Sequence, residues 1–403
     1  MALQLYIPGG DIQLSGNPIW VKVSGAVIPV GASNYRLLLK ITSLDGLLLG
    51  TPFAPDAIYP DANGEALFDI SGLVDQPKPP VLNWPVSGLI TATAATVFNI
   101  RLNYGEIYIL NSVKAENYVA VGPTHEMIIL KGGVSDFAMC QYLSPYQSFF
   151  NNWINTGKFL TNLPDNQTVS PDQVIKLWFL SNNLLGIVPG KWNIRYDFEN
   201  SGFYNASGDV DFSSFANSGS PNALTEFSVF SYPVDLAEYY ATYGYVKSFT
   251  FWLTRRSDGV DISERRTFIV DNNYYENNNY LFVSNSFNCI DVLWLKGHVQ
   301  NSIDITGTEG VKPKGFTSDS KTGSIVSTSR SGRRKWKINS GFKTTAEMEA
   351  MIEVYLAGHL WLLIDGKIIP VLLTNGDKLL GDTMEDLHST DLELLEAHNT
   401  RFV

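Results

Sequence analysis

The stretch VKSFTFWLTRRSDGVDISERRTFIVD, residues 246–271, decides the fold class. Ser248, Thr250 and Trp252 alternate with Phe249, Phe251 and Leu253, the two-residue period of a strand whose faces meet different surroundings. Asp258-Gly259 supplies a turn, and RRTFIV returns from it, so the segment reads as an aromatic-rich β-hairpin.

The same texture extends in both directions. Upstream lie VIKLWFLS from Val174, KWNIRYDFEN from Lys191 and EFSVFSYPV from Glu226. Nearer the start, NPIWVKVSG from Asn17 precedes YRLLLKITSLDGLLLGTPF. There Tyr35, Leu37 and Leu39 alternate with Arg36, Leu38 and Lys40 before a turn at Asp45-Gly46. DANGEALFDISGLVDQ, residues 61–76, offers a turn at Asn63-Gly64, a short strand and a one-turn helix begun by Asp69 or Ser71. In TVFNIRLNYGEIYILNS, Val97, Asn99 and Arg101 separate from Phe98, Ile100 and Leu102 onto two faces. Residues 1–120 therefore read as one β-sandwich of the fibronectin-III or immunoglobulin kind.

Residues 131–173 carry Phe137, Tyr142, Tyr146, Phe149, Phe150 and Trp153 without a clean period, which reads as a packed irregular crossover. Residues 121–285 then form this crossover plus a second sandwich. Both sandwiches close on an aromatic-rich hairpin, which suggests an internal duplication. Any two β-sandwiches sharing such hairpins would give the same pattern.

Composition agrees, with 12% aromatic residues beside 33 Gly and 19 Pro, the palette of strands punctuated by turns. The expected fold class is mainly β: tandem fibronectin-III/immunoglobulin-like β-sandwiches followed by a small C-terminal α+β module. The composition shifts near 280–300, which sets the third domain at 286–403. A polar, Gly-containing stretch over 296–332 reads as an extended or flexible loop. RRKWKINSGF then reads as a strand, and TTAEMEAMIEVYLAG as one helix. Its Thr344 and Glu347 form a capping box, Met348, Met351, Ile352, Tyr355 and Leu356 lie on one face, and Gly358 marks the stop. HLWLLIDGKIIPVLLT gives a hairpin across Asp365-Gly366, and STDLELLEAHNTRFV a last strand.

The charge excludes some functions. There are 29 Lys and Arg against 40 Asp and Glu, a net charge of −11, which argues against nucleic-acid binding. No apolar run of 18 residues exists, so no transmembrane helix and no membrane partner are expected. The N-terminal residues lack the pattern of a secretory signal, which points to synthesis in the cytoplasm without export by that route. Cys140 and Cys289 have no Cys or His at metal-ligand spacing. The histidines 125, 298, 359, 388 and 398 form no ligand pair, and nucleophile-elbow, phosphate-loop and dinucleotide signatures are missing. The acid pairs Asp209 with Asp211 and Glu385 with Asp386 read as surface turns. No catalytic, cofactor-binding or metal-binding residue is expected, and no enzyme.

Two clusters remain as binding candidates. Arg330, Arg333, Arg334 and Lys335 stand out against the acidic background and suit an acidic face of another subunit. A solvated strand edge protected by charge is the competing reading. With Trp336, Met348, Met351 and Tyr355 they make the candidate interface. Tyr274, Tyr275 and Tyr280, interleaved with asparagines, make a candidate glycan or protein contact, against a plain linker.

The order of these segments resembles virion structural proteins of phages and prophages of Bacteroidetes-type bacteria. The likeness rests on Asn17-Pro18-Ile19, GEALFDIS around Asp69 to Ser71, KGG at 131–133, KFLTNLPDNQTVSPDQ, DGVDISERRTFIVD, FVSNSFNCIDVLWLKG and SGFKTTAEMEAMIEVYLAG. The resemblance implies a tail or baseplate component, distal-tail-like, that self-associates into a symmetric ring with other tail or baseplate proteins and resides in the virion tail. It carries over no active site. A receptor- or glycan-binding module on the same particle is the alternative, and a carbohydrate-active enzyme the third reading.

Overall fold

The computed structural model describes residues 3–7, 12–25, 27–43, 56–74, 82, 91–93, 97–119, 126–133, 153, 156–173, 175–180, 190–199, 202–210, 229–234, 244–311, 325–374, 387–398 and 400–402. The expected crossover aromatics Phe137, Tyr142, Tyr146, Phe149 and Phe150 lie outside the described residues. So do His125, Cys140, Asp211, Glu385 and Asp386.

The 246–271 hairpin forms as its alternation dictates. Val246–Arg255 pairs antiparallel with Arg266–Val270, and Phe249, Phe251 and Leu253 are buried while the alternate positions face outward. Gly259, at φ +71°, occupies the left-handed turn position that a side chain resists. The buried face meets Ile175, Leu177 and Phe179 of the opposing sheet in one core, lined by Phe159, Tyr196 and Phe268.

The two sandwiches share one strand path. In the first it runs Ile12–Leu14, Trp20–Ser24, Ser33–Ser43, Asp56–Ile58, Ala66–Asp69, Val97–Leu110 and Glu126–Leu130. In the second it runs Gln167–Val169, Ile175–Leu180, Gly190–Phe198, Phe203–Val210, Val229–Val234, Val246–Arg255 and Arg266–Val270. In each, the first strand pairs parallel with the seventh. The seventh, sixth, third and fourth follow antiparallel as one sheet. The second and fifth pair across the core. This is an immunoglobulin-like sandwich drawn twice. The first core gathers Val21, Val23 and Phe68 from one sheet against Leu37, Leu39, Ile100, Leu102, Met127 and Ile129 from the other.

Three strands sit outside the boundaries read from sequence, among them Asn279–Ser284, which lies in the C-terminal sheet and not in the 121–285 unit. Glu126–Leu130 belongs to the first sandwich, which thus extends past residue 120. Thr91–Thr93, from the first third of the chain, pairs with Val229–Val234 of the second sandwich. The cause is that a strand joins whichever edge presents its backbone groups, irrespective of position along the chain.

The C-terminal module is built on one large antiparallel sheet, beside a two-stranded pair of Lys343–Thr344 with Leu387–His388. Its order is Ile290–Leu295, Asn279–Ser284, Leu360–Ile364, Lys367–Leu373, Asp391–Glu396, Ile325–Asn339 and Val299–Val311, with Thr400–Phe402 also paired to Ile325–Asn339. One face packs on two short helices, with Leu281, Val283, Leu293, Leu295 and Ile338 beneath Met348, Met351 and Val354. The other face carries Phe282, Ile290 and Val292 against Leu14, Ile128 and Leu130 of the first sandwich and Trp178 of the second.

Two expectations are corrected here. The 296–332 stretch is no loop where it is described, because Val299–Val311 and Ile325–Asn339 form a long antiparallel hairpin. Its Ser and Thr residues, read as loop-formers, face one another across it: Thr306 meets Ser331 at 2.8 Å and Thr308 meets Ser329 at 2.7 Å. The expected single helix is two, Thr345–Ala350 and Ile352–Leu356. The Thr344–Glu347 capping box forms in full. At the joint, Met351 N–H donates to Met348 O at 3.0 Å and Val354 N–H to Met351 O at 3.0 Å, a tightened turn of three residues. That turn rotates Val354 inward and leaves Ile352 and Leu356 exposed, against the one-face reading.

Candidate assembly interface

The long hairpin, the arm, forms one edge of the sheet, with Ile325–Asn339 paired on its other side to Asp391–Glu396 and Thr400–Phe402. Every residue from Gln300 to Glu309 is exposed. Val299–Val311 pairs only with Ile325–Asn339, so its outer edge is open among the described residues. Ile303 and Ile305 are more than half exposed on one face of the arm, a costly display for apolar side chains.

The register fixes which backbone groups point outward. Asn339 N–H donates to His298 O at 3.0 Å. Partners in an antiparallel ladder alternate between bonded and unbonded pairs. Counting by twos from His298 along the register, residues 300, 302, 304, 306 and 308 bond inward. Asn301, Ile303, Ile305 and Gly307 then turn their N–H and C=O groups to the open edge.

At the base of the arm a groove of about 450 Å³ is lined by Ile303, Trp336, Ile364 and Ile369, with Arg334, Asp365 and Lys367 at its polar positions. It lies where the helix-covered face of the sheet runs out, since Ile364 and Ile369 fringe that core.

The sequence-proposed interface residues divide. Arg334 is exposed and Arg333 half-buried on the arm. Lys335 is ion-paired to Glu393 at 2.8 Å across neighbouring strands, as Lys337 is to Asp391 at 2.9 Å. Trp336, Met348 and Met351 lie in the module's own core, which corrects their assignment to an exposed interface surface, and of the three Trp336 also reaches the groove. Their period on strand and helix marks a buried face, and a buried face of a small module is core first. Tyr355 is half-buried, with its hydroxyl at 3.2 Å from Thr390 Oγ1, and burial raises its pKa.

The three tyrosines divide likewise. Tyr274 is 90% exposed. The Tyr275 hydroxyl donates to Asp271 at 2.8 Å and its ring meets Trp294 edge-on at 5.2 Å. Lys296 Nζ lies 5.0 Å from both ring centroids and 2.8 Å from Asp271. Burial alone would raise the Asp271 pKa, yet Lys296 and Tyr275 hold it down to about 2. Tyr280 points inward, its hydroxyl 3.2 Å from Ser170 Oγ. The three do not form one exposed stacking platform.

Sequence reasoning missed a buried polar node where the three units meet. Asp291 is fully buried on the Ile290–Leu295 strand. Its Oδ2 accepts Thr161 Oγ1 at 3.0 Å and Asn285 Nδ2 at 2.9 Å, and its Oδ1 has no hydrogen-bond partner. Burial is the main cause that pushes its pKa up to about 7. The two hydrogen bonds and Arg266 oppose this, and Glu353 adds to it. Lys176 lines the same small internal space and is lowered by burial to about 8. Glu353 accepts Asn162 Nδ2 at 2.6 Å and Ser286 N–H at 2.7 Å. From the first sandwich, Gly133 N–H donates to Ser286 O at 2.6 Å. The only signal in the sequence was an Asp inside an apolar strand.

Elsewhere the chemistry is sparse. Among the described residues no three His, Cys, Asp or Glu side chains gather to hold a metal. Among them no helix is long and apolar enough to cross a membrane. His359 stacks on Trp361 at 5.9 Å, His388 Nε2 lies 3.4 Å from Thr345 Oγ1, and Cys289 is a buried free thiol whose pKa burial raises. Asp209 pairs with Arg256 at 3.1 Å.

No protein-family model and no curated protein matches the chain. Among solved structures it is similar to a marsupial T cell receptor at 10% identity, covering 83% of this chain and 96% of that one, with a TM-score of 0.17. A score that low leaves the architecture to be read from the chain's own strand pairings, as above.

Proposed function

We propose that this chain is a non-enzymatic virion structural protein, a tail-tip or baseplate component that assembles into a symmetric ring. The observation that carries this reading is the arm, whose outer strand Val299–Val311 is exposed on both faces from Gln300 to Glu309, has an open edge among the described residues and displays Ile303 and Ile305. Such an element is a liability in a lone subunit and is neutralised by assembly. The rigid body behind it fits the role: two sandwiches and a sheet module share buried cores at their junctions, so force on the arm reaches the whole chain.

The test is light scattering and particle imaging of the purified chain, together with its detection in purified virions. A closed oligomer, or presence in particles at fixed stoichiometry, supports the reading. A strict monomer at high concentration that is absent from particles overturns it. The receptor- or glycan-binding alternative rests on Tyr274 as its one exposed tyrosine of three, a small surface for stacking on a sugar.

A further inference from the structure

Resting on the assembly reading and going beyond it, we infer that the arm's outer edge is completed head-to-tail by the acidic body of a second copy, which adds an extended segment along Asn301–Gly307. Arm does not meet arm.

Four observations converge. Asn301, Ile303, Ile305 and Gly307 present a ladder of outward donors and acceptors, about 20 Å long at roughly 3.4 Å per residue. That ladder ends at the register shift between Thr308 and Glu309, which bends the strand and bounds the edge. Ile303 lines the groove beside the edge with Trp336, Ile364 and Ile369, a receptacle for alternate side chains of an added strand.

Charge decides the partner's orientation. The strands Val299–Val311 and Ile325–Asn339 carry Arg330, Arg333, Arg334, Lys335 and Lys337 against Asp304 and Glu309, a charge of +3 in a chain of net −11, with Lys335 and Lys337 already paired to Glu393 and Asp391. Two arms side by side would set like charge against like, whereas arm against body sets a basic strand pair against the acidic remainder of the chain. An arm-to-arm pair is a closed dimer, while arm-to-body contacts repeat and close only as rings. The opposite edge of the arm's own sheet, Ile290–Leu295, is buried along its whole length, so the added segment comes from elsewhere on the second copy.

The experiment uses the full chain and sedimentation velocity at low and high salt. Ile305→Pro removes one outward donor and spares the inward ladder, a substitution that an edge strand tolerates. Arg333→Glu with Arg334→Glu reverses the charge at exposed and half-exposed positions and guards against a fold defect in the proline variant. Each is expected to weaken self-association at least tenfold, with unchanged circular dichroism, and wild-type association is expected to fall with salt. Ile305→Pro protein mixed with wild type is expected to cap it, because its intact body still accepts a wild-type arm.

If both variants associate like wild type, or if the Ile305→Pro chain neither caps nor binds wild type, the inference is wrong. Normal incorporation of both variants into particles would overturn it while leaving the virion reading standing. A wild-type chain that is monomeric and absent from particles overturns both.

Discussion

Replacing Asp291 by Asn tests the buried node with a sign that depends on pH. The folded-state pKa of this carboxyl is raised from 3.8 to about 7, chiefly by burial. For a raised acid, the stability it contributes is fully present below about 3.8 and is lost as pH rises through about 7. At 1.36 kcal/mol per pH step the loss is about 4 kcal/mol by pH 8. Asn is neutral throughout, and its oxygen can keep the bonds from Thr161 and Asn285. Its amide then occupies the place of Oδ1, which has no partner, at about 1–3 kcal/mol. The variant is therefore more stable than wild type by about 1–3 kcal/mol at pH 8 and less stable by a similar amount at pH 4, by the same balance. Urea denaturation at a series of pH values measures this. Hydrogen exchange over residues 284–292 resolves the node from the rest of a multidomain chain. An equal destabilisation by Asp291→Asn at both pH values would refute the reasoning.

Gly132→Ala places a Cβ 2.2 Å from Ser286 O at a φ of +134°, so the first sandwich loses its seat on the C-terminal module. A cost of about 2–4 kcal/mol is expected, read as early proteolysis between the two. Lys296→Gln removes the cation beside half-buried Asp271, which keeps its Tyr275 and Asn273 bonds, at about 1 kcal/mol near pH 7. This contribution is present above about 3.8 and fades as pH falls through about 2, so wild type and variant should converge in acid. Trp336→Ala empties a site in the module's core and is expected to cost about 3–5 kcal/mol in chemical denaturation, with a molten arm base. An effect confined to oligomerisation, with stability unchanged, would put Trp336 back on the surface.

The strands of both sandwiches were legible because their aromatic and β-branched residues alternate against a face that is buried. The two hairpins hinted at the common strand path that the pairings establish. The Thr344–Glu347 capping box was legible because it joins residues three apart. The arm was not. A strand solvated on both faces, as Val299–Val311 is, needs no apolar alternation, so Gly, Ser and Thr there look like a loop, and only the register tells them apart. Periodicity gathered Met348 and Met351 onto one helix face, with Ile352 and Leu356 that the structure exposes, and it cannot say whether such a face meets its own module or a neighbour.

The sequence by itself determined the mainly β class, the turns and caps, and the acidic body set against a basic segment, since each depends on residue type and on spacings of a few positions. The tertiary structure alone decided that Thr91–Thr93 joins the second sandwich and that Glu126–Leu130 completes the first. It also decided that Asp291, Thr161 and Asn285 share one buried node, and that one edge of the last sheet stays open among the described residues. Those outcomes are choices of partner across long chain separations. They are set by which backbone groups and side chains remain unsatisfied once the local structure has formed, and no local pattern in the chain records them.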